Sequence, residues 1–276
     1  MKQAVITGAT SGIGKETAAN LLRQGIQVLL LARNASKADQ VCQELHHATA
    51  NPSVDYLQVD LAEMKQVQEI IGAIQKKVTG IDILINNAGL MTLNREESPD
   101  GIELVMAVNH LAVMILTEGL LGTMRERSRI VMLNSVAHRA GKWTGDLNLK
   151  EGWSVARSYG NSKLANLMYA YHLARELRSK MITVNAVHPG VVGSGFGQQW
   201  GGFMKYGWKV AKPFMLTSAQ GAKYPSHLAL SEEVEGISAK YFKKGKMVQS
   251  SSDSYNQEIS KEVLLESRKL IDEILA

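Results

Sequence analysis

Cysteine is almost absent. Cys42 is the sole thiol among 276 residues, so no intrachain disulfide can form, and the chain reads as one that folds in a reducing compartment. Proline is scarce, with five residues, and no Pro/Ser-rich stretch, repeat or low-complexity tract marks a linker. One α/β domain over residues 1–276 is therefore favoured over two small ones. The longest uninterrupted apolar run, Leu111 to Leu116, is far short of the ~20 residues that cross a bilayer. An apolar strand pattern begins at Gln3, which leaves no room for a charged leader, so a soluble, cytoplasmic protein without a signal peptide is expected. A large excess of one charge is missing too. The net charge of +5 comes from cations scattered among acids, which fits a solvated surface that helps attract an anionic cofactor but argues against nucleic acid as partner. No histidine falls at metal-ligand spacing with cysteine or acids, so no metal is expected.

What is present is ordinary globular composition, 45% hydrophobic and 21% charged, arranged in alternation. Strand patterns at Gln3–Thr7, Gln27–Ala32, Val54–Val59 and Ile81–Asn86 are separated by helical patterns at Lys15–Gln24, Ala35–His47 and Met64–Val78. A long helix over Ile102–Arg127 then leads to a strand at Arg129–Asn134, a helix over Ala156–Ser179 and a strand at Thr183–His188. A last strand, Ile237–Phe242, and a helix near Lys261–Leu275 complete the predicted order. Such alternation implies βαβ units and a doubly wound parallel sheet covered on both faces.

Three patterns carry chemistry. Between the first strand and helix lies Gly8-Ala9-Thr10-Ser11-Gly12-Ile13-Gly14, a turn that lets backbone approach a pyrophosphate at the positive end of a helix. Tyr159 and Lys163 are four apart in a helical stretch and so share a face, with Cβ atoms ~5–6 Å apart. A phenol titrates near ~10, and a neighbouring ammonium is expected to favour its ionised form, tuning it for proton exchange. At the end of the second strand, Leu31-Ala32-Arg33-Asn34 lacks the acid that commonly binds the ribose 2′-hydroxyl of NAD. Arg33 there, and Lys15 after the glycine turn, are either grips for a 2′-phosphate or plain surface cations; together with the missing acid they favour NADP.

Thr7 to Gly14, Asn86-Asn87-Ala88-Gly89, Asn109, Ser135, Tyr159-x-x-x-Lys163 and Pro189-Gly190 occur in the order and spacing of the short-chain dehydrogenase/reductase family, which the chain resembles over nearly its whole length. Asn109-His110-Leu111, Asn134 to His138, Tyr159 to Asn166 and, more weakly, Lys240-Tyr241-Phe242 resemble the branch containing retinol dehydrogenases and protochlorophyllide reductases. The resemblance implies a single-domain, doubly wound Rossmann fold of about seven parallel strands with helices on both faces. It also implies hydride transfer between NADP(H) and a carbonyl or alcohol. By the same resemblance, Tyr159 exchanges the proton with the substrate oxygen, Lys163 lowers its pKa and binds the nicotinamide ribose, Ser135 orients the substrate oxygen, and Asn109 supports a water in the proton relay. Gly8, Thr10, Ser11, Gly12, Ile13, Gly14 and Lys15 would cradle the phosphates. Asp60 with Leu61, Asn87 with Ala88 and Gly89, and the loop Pro189, Gly190, Val192 and Ser194 would line the rest of the cofactor. Simpler structural roles stand beside these: a helix cap for Ser135, a buried polar group for Asn109, a helix-entry acid for Asp60 and a strand clasp for Asn86. Ser194 stands where Thr is usual, and Ala112 where the branch usually has Gly.

Residues 193–215 are rich in aromatics (Phe196, Trp200, Phe203, Tyr206, Trp208, Phe214) and glycines. They suit either a hinged substrate lid for an apolar carbonyl compound or a core or subunit contact. A homodimer or homotetramer is compatible with the resemblance. A nucleotide-sugar epimerase or dehydratase, and a non-catalytic dinucleotide-binding regulator, are the alternatives; the complete Asn109, Ser135, Tyr159 and Lys163 set argues against the second.

Overall fold

The computed structural model describes residues 1–193 and 215–276; Ser194 and the aromatics of the expected lid lie outside them. One sheet of eight strands runs in the order β3-β2-β1-β4-β5-β6-β7-β8. β1 (Gln3–Thr7), β2 (Gln27–Ala32), β3 (Val54–Gln58), β4 (Ile81–Asn86), β5 (Met124–Leu133), β6 (Thr183–His188) and β7 (Lys240–Lys243) are parallel. β8 (Lys246–Val248) adds an antiparallel edge that the sequence pattern does not predict. Runs such as Val28-Leu29-Leu30-Leu31 are apolar without alternation because both sheet faces are covered. Successive strand residues feed opposite cores: Val5 and Leu84 pack on one side, Ile6 and Ile85 on the other.

The first core lies under α3 (Met64–Lys77), α4 (104–120), α5 (Val155–Glu176) and α7 (Gln257–Leu275). The second lies under α1 (Gly12–Arg23), α2 (Ala35–Thr49) and α6 (Ser218–Leu230). Helix α4 consists of Leu104–Met106, a wide π turn at Ala107–Leu111 and the stretch Ala112–Leu120. In the wide turn the Ala112 amide donates to the Ala107 carbonyl, five residues back.

Four features differ from the sequence reading, each for a physical reason. The helix expected to reach Arg127 ends at Leu120, and Met124 already pairs with Ile81 in β5. Ile83 then pairs with Arg129, so extra residues bow out of the ladder, with Arg127 at φ 59°. Helix α6 is hidden in the sequence by Gly221 and Pro225, which read as breakers. It forms because Thr217 and Gln220 make a reciprocal capping box, and because bare Gly221 admits Val192 and Ile13, to which a Cβ would come within 2.7 and 3.3 Å. Helix α7 begins at Gln257 rather than Lys261, since the Asn256 side chain accepts from the amides of both Glu258 and Ile259. The last parallel strand is likewise shorter than expected: the Ile237 carbonyl is held by Asn185 Nδ2 at 2.6 Å, and pairing starts at Lys240.

A close backbone approach positions the site. The short turn Val136–Ala140 follows β5 and leans on α5 where both elements carry glycine. A Cβ on Gly141 would lie 2.5 Å from the Gly160 carbonyl oxygen, and one on Gly160 would lie 3.1 Å from the Ala137 carbonyl oxygen. With φ −70°, Gly141 suits any residue, so only this contact is at stake. Gly141→Ala therefore has to part the Ser135 turn from the Tyr159 helix. Overpacking of this kind costs about 1–3 kcal/mol, so a melting temperature several degrees lower is expected by calorimetry.

Candidate active site

The strand order reverses between β1 and β4, and the crevice at their carboxyl ends is where open α/β sheets take ligands. Gly8 leaves β1 at φ 65°, and a Cβ there would sit 2.8 Å from the Cα of Ala88. Asn87 closes the crevice from the β4 side. Its Nδ2 donates to the carbonyls of Thr7 (2.8 Å) and Gly8 (3.0 Å), while the Thr7 hydroxyl accepts from the amides of Asn87 (3.0 Å) and Ala88 (2.9 Å). A Cβ on Gly14 would fall 2.4 Å from that same Nδ2 and 2.6 Å from the Gly8 carbonyl. The Asn87 side chain thus holds the turn, and Thr7, absent from the expected site list, anchors it.

Among the described residues no side chain caps the N-terminus of α1. Ser11 precedes it with no side-chain cap bond, and no acid lies in its first turn. Unfilled amides at the positive end of a helix, with backbone that no Cβ crowds, fit a pyrophosphate. Thr10, Gly12 and Ile13 are half-buried beside the exposed Ser11. At the adenosine end, Arg33 is exposed and makes no ion pair among the described residues. Lys15 is already paired with Glu44 of α2, so the second expected cation is shared. Asp60 Oδ1 accepts from the Ala62 amide (3.0 Å), and half-buried Leu61 packs on the first core. Helix α3 is met instead by Asp100, whose Oδ2 accepts from the Met64 amide (2.8 Å).

At the other end of the crevice four elements converge. Ser135 follows β5, its Oγ accepting from the Ala137 amide at 3.2 Å, so it is a cap as well as a site residue. Its hydroxyl is also hydrogen-bonded with the Tyr159 phenol of α5. Lys163, one turn on, is buried; its Nζ lies 5.6 Å from the Tyr159 ring centroid and donates to the Leu133 carbonyl at 3.1 Å. In return Asn134 Nδ2 donates to the Lys163 carbonyl at 2.9 Å. A Cβ on Gly89 would lie 3.3 Å from Asn109 Oδ1 and 3.4 Å from Lys163 Nζ, so these three groups border one space. Asn109, in the wide turn of α4, has its side chain fully engaged. Oδ1 accepts from the Leu90 amide (2.8 Å), and Nδ2 donates to the Leu90 carbonyl (3.0 Å) and Ser162 Oγ (3.1 Å).

The electrostatics differ from the sequence reading in one respect. Burial pushes the Tyr159 phenol up to about 12, against the pull of the Ser135 hydroxyl, rather than down. Burial also pulls the Lys163 ammonium down to about 8. In the protein alone, desolvation of both groups outweighs the help the cation gives the phenol. His138 backs the Ser135 turn: its Nδ1 donates to the Ser135 carbonyl (2.6 Å), and its Nε2 accepts from the Ser251 amide (3.1 Å).

Opposite lies the loop after β6. Pro189 is buried, Gly190 stands at φ 91°, and Val192 packs against Gly221. Here the chain departs and returns at one place: the Gly193 amide donates to the Leu216 carbonyl (3.0 Å), and the Leu216 amide to the Val191 carbonyl (2.9 Å). Ser194 lies outside the described residues. Among the described residues no cluster of His, Cys, Asp or Glu could hold a metal ion, and no helix is long and apolar enough to cross a membrane.

Comparison with known proteins agrees with this geometry. The family model described as short chain dehydrogenase matches residues 2–203. Retinol dehydrogenase 12 of Mus musculus is 37% identical over 259 residues, spanning 93% of this chain and 82% of the mouse enzyme. Human retinol dehydrogenase 13 is 34% identical over 98% of this chain and 84% of its own. A crystal structure of an uncharacterized protein from Mycobacterium paratuberculosis superposes with a TM-score of 0.79 at 25% identity, covering 99% of this chain and 94% of that one. The chain belongs to the short-chain dehydrogenase family, in its retinol dehydrogenase-like branch, and is an oxidoreductase acting on CH–OH and C=O groups with a nicotinamide cofactor.

Proposed function

We propose that the protein reduces apolar aldehydes or ketones, or oxidises the matching alcohols, with NADP(H), and that Tyr159 exchanges the proton with the substrate oxygen. The observation that carries this reading is the convergence of the Ser135 hydroxyl, the Tyr159 phenol and the Lys163 ammonium beside Gly89, at the carboxyl end of β5. The bound nicotinamide supplies or accepts the hydride. The rest is work for this chain. Ser135 holds the substrate oxygen, and Tyr159 delivers its hydrogen to that oxygen as the carbon is reduced. Lys163 stabilises the phenolate that remains. The amides at Gly12, Ile13 and Gly14 would hold the pyrophosphate and Arg33 the 2′-phosphate. Arg33, together with the lack of an acid after β2, supports NADP over NAD. Exposed Val191 and half-buried Leu90, Met91 and Val136 beside the site support an apolar substrate, as do relatives named for retinol, an apolar alcohol.

Tyr159→Phe removes the donor and keeps the ring. A fall in kcat of about 10²–10⁴ is expected, with NADPH affinity nearly unchanged, measured with long- and short-chain aldehydes. Turnover within a few-fold of the parent would refute the assignment, and a preference for the short aldehyde would refute the apolar substrate.

Arg33→Ala is expected to weaken NADPH by about ten- to a hundredfold, the worth of a charge-assisted hydrogen bond of roughly 1.5–3 kcal/mol, and NADH far less. Titration by fluorescence with both cofactors checks this; equal losses would make Arg33 structural.

A pH profile follows from the buried lysine. Tyr159, at about 12, keeps its proton through the working range, whereas Lys163 loses its charge through about 8. Values of kcat/KM for NADPH, which report the free enzyme, should hold level below about pH 8 and decline above it. A profile flat to pH 10 would dissociate Lys163 from cofactor capture and proton delivery.

A further inference from the structure

We infer that Asn166 and His110 are positioning residues that hold the Asn109 turn in register with the Tyr159 helix, through a directional chain of hydrogen bonds reaching Ser267 in the C-terminal helix. The inference rests on the proposed reading of the site, for the turn it places is the one that borders Lys163 and Gly89.

The chain is wholly internal: Asn109, His110 and Ser267 are 0% exposed and Asn166 3%. Each link fixes the sense of the next. The Asn109 main-chain carbonyl is an acceptor only, and Asn166 Nδ2 of α5 donates to it. That leaves Asn166 Oδ1 facing His110 Nδ1 at 3.2 Å. An amide oxygen cannot donate, so Nδ1 must carry the hydrogen. His110 Nε2 in turn lies 2.9 Å from Ser267 Oγ of α7. In a neutral imidazole this nitrogen is bare and accepts from the serine. Full burial keeps the ring neutral by pulling its pKa down to about 4. The one serine hydrogen also faces the Val263 carbonyl at 2.7 Å, so this outermost link is shared and is the weakest.

The consequence is local. Asn109 lies in the wide turn of α4, where hydrogen bonds reach five residues back rather than four. π turns are rare and are held in place by their surroundings. Asn166 grips the main chain of that turn, while the Asn109 side chain holds Leu90 and Ser162. Ser162 in turn donates to the Tyr159 carbonyl at 2.9 Å. Asn166 and Ser162 lie one turn apart on α5, and between them they hold the main chain and the side chain of Asn109. A shift of the turn would displace Asn109 relative to Lys163 and Gly89, which it borders.

The test is Asn166→Asp, which keeps the shape but gives the Asn109 carbonyl no donor. In hydrogen exchange of the NADP-bound protein, the Leu90 amide, held by Asn109 Oδ1, should exchange about tenfold faster while α2 amides are unchanged. In turnover, kcat should fall about ten- to a hundredfold, as misplacement near a reacting centre does, with KM within twofold and a larger solvent isotope effect. A folded variant with unchanged Leu90 exchange and isotope effect overturns the inference, as does exchange that quickens equally everywhere. If Asn166→Asp does not fold, Ser267→Ala, which removes only the outermost link, decides by the same two readouts. The exchange readout needs no turnover, so a wild-type protein inactive on carbonyl compounds would count against the proposed function and leave this measurement standing.

Discussion

The site depends on a reciprocal pair of hydrogen bonds between α5 and the end of β5: Lys163 Nζ to the Leu133 carbonyl, and Asn134 Nδ2 back to the Lys163 carbonyl. A lysine stem buried beside a strand end is costly unless its ammonium is met. Meeting it with the carbonyl of Leu133, two residues before Ser135, settles the spacing of phenol, ammonium and serine hydroxyl at once. The bare contact of Gly141 on Gly160 allows that distance to be short. Remove any one of these and the remaining groups still exist, but on elements free to drift apart.

Desolvation is the other side of this arrangement. The same burial that fixes Tyr159 and Lys163 disfavours both of their charged forms. Below about pH 8 the phenol is neutral and the ammonium still charged, and the ammonium is the more easily changed of the two. On the proposed reading, a ribose laid into the crevice would bring hydroxyl groups next to Lys163. Such partners would favour the charged lysine, and the proposed cofactor capture and proton transfer would then be linked through one side chain.

Sequence alone gives the parts that are local. The glycine turn, the four-residue spacing of Tyr159 and Lys163, and the missing acid after β2 are each contained in a few consecutive residues, and the elements carrying them fall where the hydrophobic pattern puts them. What it does not give are pairings across distance. Nothing near Asn87 says that its amide will grip Thr7 and Gly8 eighty residues away, or that Asn166 will reach Asn109. Asn109-His110 and Asn166 stand out as motif residues, but only the packed helices show why they travel together. Helix α6 is illegible for the opposite reason. Pro225 and Gly221 speak against a helix locally, and tertiary contact with Ile13 and Val192 overrides them. The Tyr159 shift is misread because a helix wheel contains the charge beside the phenol but not the depth at which both sit.

The stitch between Val191–Gly193 and Leu216 has a consequence for how such a protein can change. Two points of the chain more than twenty residues apart are tied together there. Closing a longer chain between tied ends costs only a slowly growing entropy. Related chains can therefore differ in length between these two points while β6 before them and α6 after them keep their places.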